Sequence, residues 1–255
     1  MTLIDTHTHL YLKNFETDID EVIGRAKNEG VEQFYLPSID SSETSNLLEL
    51  ERKYSGCCFA MTGLHPCSVK EDFEKELQLV HDSLLDRRFL GIGETGLDFY
   101  WDRTFEAQQV IALKQQLEWA DQFNLPIILH TRNATKETID IVKPFAEKGV
   151  SGIFHCFGGT LENAKEIIDM GFYLGIGGVI TYKNSGLDKV VSSIGCNHLV
   201  LETDSPYLTP TPFRGKRNES SYLKLINNKI AEVIGISAEE AARITTENAR
   251  AIFKN

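Results

Sequence analysis

The sequence predicts an α/β protein built as a (β/α)8 barrel of the TIM type, and three observations carry this. Short apolar runs of strand character recur near residues 3–7, 33–37, 57–63, 89–94, 126–130, 151–155, 172–176 and 198–203, with helically spaced stretches between them. The chain has 255 residues, a usual length for one such barrel. Polar residues able to hold a metal stand where the first, fourth, fifth, sixth and eighth runs stop, and a closed ring of parallel strands brings those ends to one point. A doubly wound open sheet would gather only the strands beside its switch point.

The elements follow in order. Leu3-Ile4-Asp5 opens the first strand and leads to His7 and His9, and the fourth run, Phe89-Leu90-Gly91-Ile92-Gly93, ends at Glu94. The clearest helix spans 105–123, with Val110, Leu113, Leu117 and Ala120 on one side and Glu106, Gln109, Lys114 and Glu118 on the other. Pro126-Ile127-Ile128-Leu129 ends at His130, and Ser151-Gly152-Ile153-Phe154 at His155. Thr160-Leu161-Glu162-Asn163 opens a helix that Gly171 is placed to end. The run 198–203 leads to Asp204, then to the longest loop, 205–218, broken by Pro206, Pro210, Pro212 and Gly215. Ser237-Ala238-Glu239-Glu240 reads as a capping box before the last helix. With no repeat, linker or low-complexity segment, residues 1–255 are expected to form a single domain.

Composition narrows the function. The net charge of -11 argues against broad charge-driven binding to nucleic acid or anionic membrane, though not against a local basic patch or a metal. The five cysteines, Cys57, Cys58, Cys67, Cys156 and Cys196, are odd in number and form no C-x-x-C pair, which suits a reducing compartment. No run approaches the roughly 18 apolar residues of a membrane span, and no signal-peptide pattern is visible. A cytoplasmic location is expected, with no membrane and no protein partner.

The polar strand ends point to a metal centre. His7-x-His9 sets two imidazoles on one side of an extended chain, a weak motif alone. Joined to Glu94, His130, His155 and Asp204, it gives six ligand-type residues, too many for one open catalytic ion. Two divalent ions fit better, with Glu94 as bridge, His7, His9 and Asp204 on the first ion and His130 and His155 on the second. Asp204 has a second reading as the group that orients and deprotonates water, and Glu94 shares the catalytic role through the ions. Magnesium, manganese and zinc all suit the set.

Other residues carry two readings each. Glu202 and Asp98 either position a ligand or its basic neighbour, or are structurally paired buried carboxylates. His65, in Gly63-Leu64-His65-Pro66, serves substrate binding, proton transfer or only its loop. Arg132 should point into the same mouth as His130 and hold a phosphate, or else pair with Asp98 or Glu202. Arg214, Lys216 and Arg217 form the dense basic cluster of the chain and suggest a phosphate-binding rim, or a solvated loop. Tyr100 and Trp101 either stack on a base or pack on a helix.

Six ordered segments, Ile4-Asp5-Thr6-His7-Thr8-His9-Leu10, Gly63-Leu64-His65-Pro66, Gly93-Glu94-Thr95-Gly96-Leu97-Asp98, Leu129-His130-Thr131-Arg132, His155-Cys156-Phe157-Gly158-Gly159 and Leu201-Glu202-Thr203-Asp204-Ser205-Pro206, resemble the signatures of the TatD family. That family comprises metal-dependent deoxyribonucleases of the amidohydrolase-like barrel superfamily. The match runs from residue 4 to about residue 218, and Thr245-Thr246-Glu247-Asn248-Ala249 also fits. The resemblance implies that His7, His9, Glu94, His130, His155 and Asp204 are metal ligands, and it implies phosphodiester hydrolysis of 3′-to-5′ exonuclease character. One departure stands out, since Cys67 replaces the second histidine of the family's G-x-H-P-H.

The expectation is therefore a divalent-metal-dependent deoxyribonuclease that acts on single-stranded or frayed DNA through metal-activated water. The rival is an amidohydrolase-type enzyme acting on a small amide, lactone or organophosphate. Such enzymes often bridge their metals with a modified lysine after the fourth strand, where this chain has Glu94. A metal-dependent binding protein without catalysis would be expected to lack ligands, and all six are present.

Overall fold

The structure, a computed structural model, describes residues 1–254. Strand and helix alternate along the chain. The strands are β1 (Leu3–Asp5), β2 (Val31–Leu36), β3 (Cys58–Ala60), β4 (Ile92–Asp98), β5 (Ile127–Arg132), β6 (Gly152–Phe154), β7 (Tyr173–Ile176) and β8 (Leu199–Leu201). The helices are α1 (Ile19–Asn28), α2 (Thr44–Lys53), α3 (Phe73–Asp86), α4 (Glu106–Phe123), α5 (Thr135–Ala146), α6 (Leu161–Asp169), α7 (Leu187–Ile194), α8 (Leu223–Ile234) and α9 (Ala238–Phe253).

All strand pairs are parallel, in the orders β1-β2-β3 and β4-β5-β6-β7-β8. Backbone hydrogen bonds bridge both seams between the two sheets. Leu90 N–H donates to Ala60 O (2.9 Å) and Gly93 N–H to Thr62 O (2.8 Å) on one side, and Thr6 N–H donates to Leu201 O (3.0 Å) on the other. The (β/α)8 barrel expected from the eight runs is thus the observed architecture.

Two apolar layers follow from strand alternation. Leu36, Ile127, Leu129, Phe154, Leu174 and Leu201 belong to the large layer shared with the helices. Ile4, Tyr35, Met61, Ile128, Ile153 and Val200 form a smaller cluster, which Ala249, Ile252 and Phe253 of α9 join. Ile128 and Ile153 share their strand faces with His130 and His155, so alternation alone aims those histidines into the mouth.

Glu94 needs more than alternation. β4 pairs Ile92 with Ile127 but Thr95 with Leu129, so three steps on β4 face two on β5. One extra residue is inserted there, as in a β-bulge. Ile92 lies in the helix-facing layer, whereas Thr95 meets Gln116 of α4 and Leu97 lies in that same layer. The odd-numbered residues thus take over the outward face, and Glu94 turns inward. The strand also runs further than the apolar run indicated. Glu94 lies inside β4 and His130 inside β5, because the pairing continues through Gly96↔His130 to Asp98↔Arg132.

Local signals were mixed. Thr160 caps α6 in a reciprocal capping box with Asn163. Ser237 caps α9 by accepting from Glu240 N–H, but the Glu240 carboxylate turns to Arg243 instead of closing the box.

Candidate metal centre

Beyond β1 the chain bends at Thr6 and His7 and carries His7 and His9 into the mouth, pinned by Asp204 N–H to His7 O (2.9 Å) and His9 N–H to Ser205 O (2.8 Å). This places the first and last strand extensions side by side. Asp204 (φ 54°) and Cys156 (φ 48°) adopt left-handed backbone conformations, which for non-glycine residues cost on the order of 1–3 kcal/mol.

Glu94 stands at the middle of the site. Its Oε2 lies 3.0 Å from His7 Nε2 and 3.6 Å from His9 Nε2. Its Oε1 lies 2.9 Å from His130 Nδ1, 3.2 Å from His155 Nε2 and 3.3 Å from His65 Nε2. Asp204 Oδ1 joins the first side, 3.7 Å from His7 Nε2 and 3.5 Å from His9 Nε2. The Glu94 side chain is 3% exposed and that of Asp204 13%, so Asp204 is the carboxylate that substrate can reach.

The far nitrogens of the histidines are addressed by a second layer of groups. Tyr11 donates its hydroxyl proton to Pro37 O (2.7 Å), so its oxygen is left to accept from His9 Nδ1 at 2.9 Å. His130 Nε2 lies 3.0 Å from Asp98 Oδ2. His155 Nδ1 lies 3.3 Å from Glu202 Oε1, the oxygen that also accepts from Cys156 N–H (2.5 Å). Such partners fix which ring nitrogen keeps its proton. His65 differs: Cys67 N–H donates to its Nδ1 (3.0 Å), so a neutral His65 carries its proton on Nε2, aimed at Glu94.

Two glycines make room for this layer. A Cβ at Gly175 would sit on Glu202 Oε2, and one at Gly96 (φ 143°) would collide with the His130 carbonyl oxygen. Beneath Asp204, Asp5 accepts from Thr203 N–H (2.9 Å) and Thr203 Oγ1 (2.6 Å), and the Thr8 and Ser205 hydroxyls meet at 2.6 Å. Burial pushes the Asp5 carboxyl up to about 7.

The charges are arranged for a cation. Burial alone would raise Glu94, but His155, His65 and His7 hold it well below the usual carboxylate range. Burial would lower His155, yet Glu94 and Glu202 hold it well above the usual imidazole range. Burial and the neighbouring His155 push His7 down. Asp204 is held low against burial by His9, His155 and His7.

The donor set fits divalent ions. The groups His7–His155–Asp204, His7–His9–Glu94 and His65–Glu94–His130 each place their ligand atoms within 4.8 Å of one another. On the far side of the rings, His7 Nδ1 and Glu202 Oε2 are buried without a hydrogen bond, and His155 Nδ1 meets Glu202 Oε1 as a 3.3 Å charge contact and not as a hydrogen bond.

The mouth opens into a cavity of about 670 Å³ that reaches His9, His65, Glu94, Asp98, His130 and Arg132. Arg132 enters it as the strand pattern indicated, but pairs with neither Asp98 nor Glu202. Its guanidinium lies over the Tyr100 ring (3.9 Å) and the Trp101 ring (4.9 Å).

The basic loop is not brought to the mouth. Arg217 forms two 2.7 Å hydrogen bonds to Asp18 and covers Phe15. Arg214 covers Tyr182, and Lys216 lies over Phe213. Asn218 Nδ2, donating to Thr203 O and Tyr207 O, draws the loop back toward β8. Sequence reasoning also passed over Tyr11, although it continues the two-residue spacing of His7 and His9.

A profile described as "TatD related DNase" matches residues 4–254. The chain belongs to the TatD family. It is similar to YabD of Bacillus subtilis, described as an uncharacterized metal-dependent hydrolase, at 41% identity over 253 residues covering 99% of both chains. It is 31% identical to a protein of Pantoea vagans named a 3′-5′ ssDNA/RNA exonuclease, TatD, again across 99% of both. The solved structure of YjjV, a TatD homologue of Escherichia coli K12, superposes with a TM-score of 0.94 at 27% identity, covering 99% of this chain and 98% of that one. The protein is a metal-dependent hydrolase.

Proposed function

We propose that this TatD-family hydrolase is a 3′-to-5′ exonuclease acting on single-stranded or frayed DNA at a two-ion centre. The observation that carries this is the division of Glu94, with one oxygen toward His7 and His9 and the other toward His130 and His155. On this reading His7, His9 and Asp204 hold one ion, His130 and His155 the other, and Glu94 lies between. Two divalent ions, when bound, would supply Lewis-acid charge for the phosphate and an activated water. Magnesium, manganese and zinc all suit these donors.

The chain's own groups have distinct tasks. Asp204, ionised and the more exposed carboxylate, accepts the proton of the attacking water at a carboxylate oxygen. Asp98, Glu202 and Tyr11 orient the rings of His130, His155 and His9. His65, with Nε2–H turned inward, and Arg132, a cation free of carboxylate partners among the described residues, contact phosphate oxygens. The exonuclease name of the Pantoea vagans relative supports nucleic acid as substrate. The reading treats residues 1–255 as one hydrolase domain. It places the protein in the cytoplasm, on the strength of five free cysteines. No helix among the described residues is long and apolar enough to cross a membrane.

The test strips the protein with chelator, restores one divalent ion at a time and follows a 5′-labelled single-stranded oligodeoxynucleotide. Stepwise shortening from the 3′ end is expected. Glu94→Ala should cut the rate on the order of 10³-fold or more, since several kcal/mol of charge stabilisation is lost. Absence of cleavage with every ion, in protein shown to bind metal, would overturn the nuclease reading and favour a small-molecule hydrolase.

A further inference from the structure

Trp101 is out of place for a packing residue. The residue is 67% exposed, although large aromatics are among the side chains that gain most from burial. The other tryptophan, Trp119, is only 7% exposed. Trp101 lines the same cavity as Glu94, Asp98 and His130, and Tyr207, 51% exposed, lines it too.

The turn that carries the ring is also held. Asp98 Oδ1 accepts from Tyr100 N–H (2.9 Å) and Trp101 N–H (3.2 Å), while Oδ2 of the same carboxylate meets His130 Nε2 (3.0 Å). One buried carboxylate therefore ties the 100–101 turn to the metal centre. Tyr100 and Trp101 meet edge to face at 4.8 Å, and the Arg132 guanidinium lies over both. The result is a flat apolar surface and an unpaired cation fixed relative to Glu94 and His130.

We propose that Trp101, propped by Asp98, Tyr100 and Arg132, is a stacking platform for an unpaired nucleobase beside the reacting phosphate. This rests on the phosphodiesterase reading of the same site. A π-face accepts any base, so the platform gives strand-state selectivity without sequence selectivity. A base inside a duplex already has both faces covered by its neighbours and cannot use it. Arg132 adds charge where the adjoining phosphate lies. Tyr207, edge-on to His9 with centroids 6.2 Å apart, lines the same cavity.

The test uses the metal-loaded full chain and two phosphomonoesters, a deoxynucleoside 5′-monophosphate and deoxyribose 5-phosphate, which differ only by the base. The nucleotide should quench tryptophan emission and the sugar phosphate should not, and Trp101→Phe should abolish the quenching because Trp119 is buried. Trp101→Ala should weaken nucleotide binding by about fivefold to a hundredfold and leave the sugar phosphate within about twofold. Its preference for single-stranded over blunt duplex oligonucleotides should shrink accordingly. Equal nucleotide affinity in Trp101→Ala and the parent, equal quenching by both ligands, or no quenching at all would overturn the platform. Base-dependent binding in a protein that cleaves no oligonucleotide would instead overturn the nuclease reading and leave the platform standing.

Discussion

The two ends of the barrel are built from the same strands and solve opposite problems. At the floor, Ile4, Tyr35, Met61, Ile128, Ile153 and Val200 meet Ala249, Ile252 and Phe253 of α9. At the mouth, toward the C-terminal ends of the strands, stand Asp5, His7, Glu94, His155 and Glu202, each no more than 3% exposed. The floor gains free energy by removing apolar area from water. The mouth keeps charges out of water and balances them against each other and against a few backbone N–H and hydroxyl donors. Stability and chemistry are thus segregated along the barrel axis, and substitutions at the two ends should separate them.

The largest stability effect belongs to the floor. Phe253 packs edge to face on Tyr35 with centroids 4.6 Å apart. Phe253→Ala should lower the unfolding free energy by about 3 kcal/mol in a denaturant titration, with kcat/KM held within about twofold at low temperature. An equal fall in activity would break the segregation.

At the mouth the ranking reverses. Asp98→Asn removes the charge opposite His130 Nε2 and should weaken metal affinity about 10- to 100-fold in a chelator competition, with the unfolding midpoint nearly unchanged. Full recovery of activity at saturating metal would confirm that Asp98 acts through the ion.

The mouth should also respond to pH, and the apolar floor should not. In metal-free protein the raised His155 stabilises the fold fully below pH 6.5, its ordinary value, and this is lost as pH rises through the higher folded value. The depressed Glu94 acts in the other sense. Its contribution is present above pH 4.5 and lost as pH falls through the lower folded value. Thermal unfolding of metal-free protein should peak between those limits, and metal affinity should climb with pH because a ligand imidazole must shed its proton. A flat affinity profile would show that His155 is not a ligand.

The smallest effect is at Arg217, whose ion pair with Asp18 is about one-third exposed on each side (30% and 31%). Arg217→Ala should cost no more than about 1 kcal/mol and leave oligonucleotide KM within about twofold. A large rise in KM would return the basic loop to the substrate path.

Much of this was legible in the sequence, for identifiable reasons. His130 and His155 continue an alternation begun by Ile128 and Ile153, so the apolar run itself announces where the polar end points. Thr160 and Asn163 carry their cap within four residues. What was not legible depends on partners distant in the chain. Arg214, Lys216 and Arg217 look like one cluster, yet Tyr182, Phe213 and the Phe15–Asp18 pair divide them. Glu202 needs the absent side chain of Gly175, twenty-seven residues earlier, to find its place. No local pattern encodes such a match.

The extra residue in β4 has a consequence for anyone who would move this centre elsewhere. Six candidate ligands copied onto a barrel with regular strands would arrive with Glu94 facing the helices, because Ile92 and Glu94 share parity and only the three-against-two step separates their faces. The transplant must carry the spacing error along with the side chains.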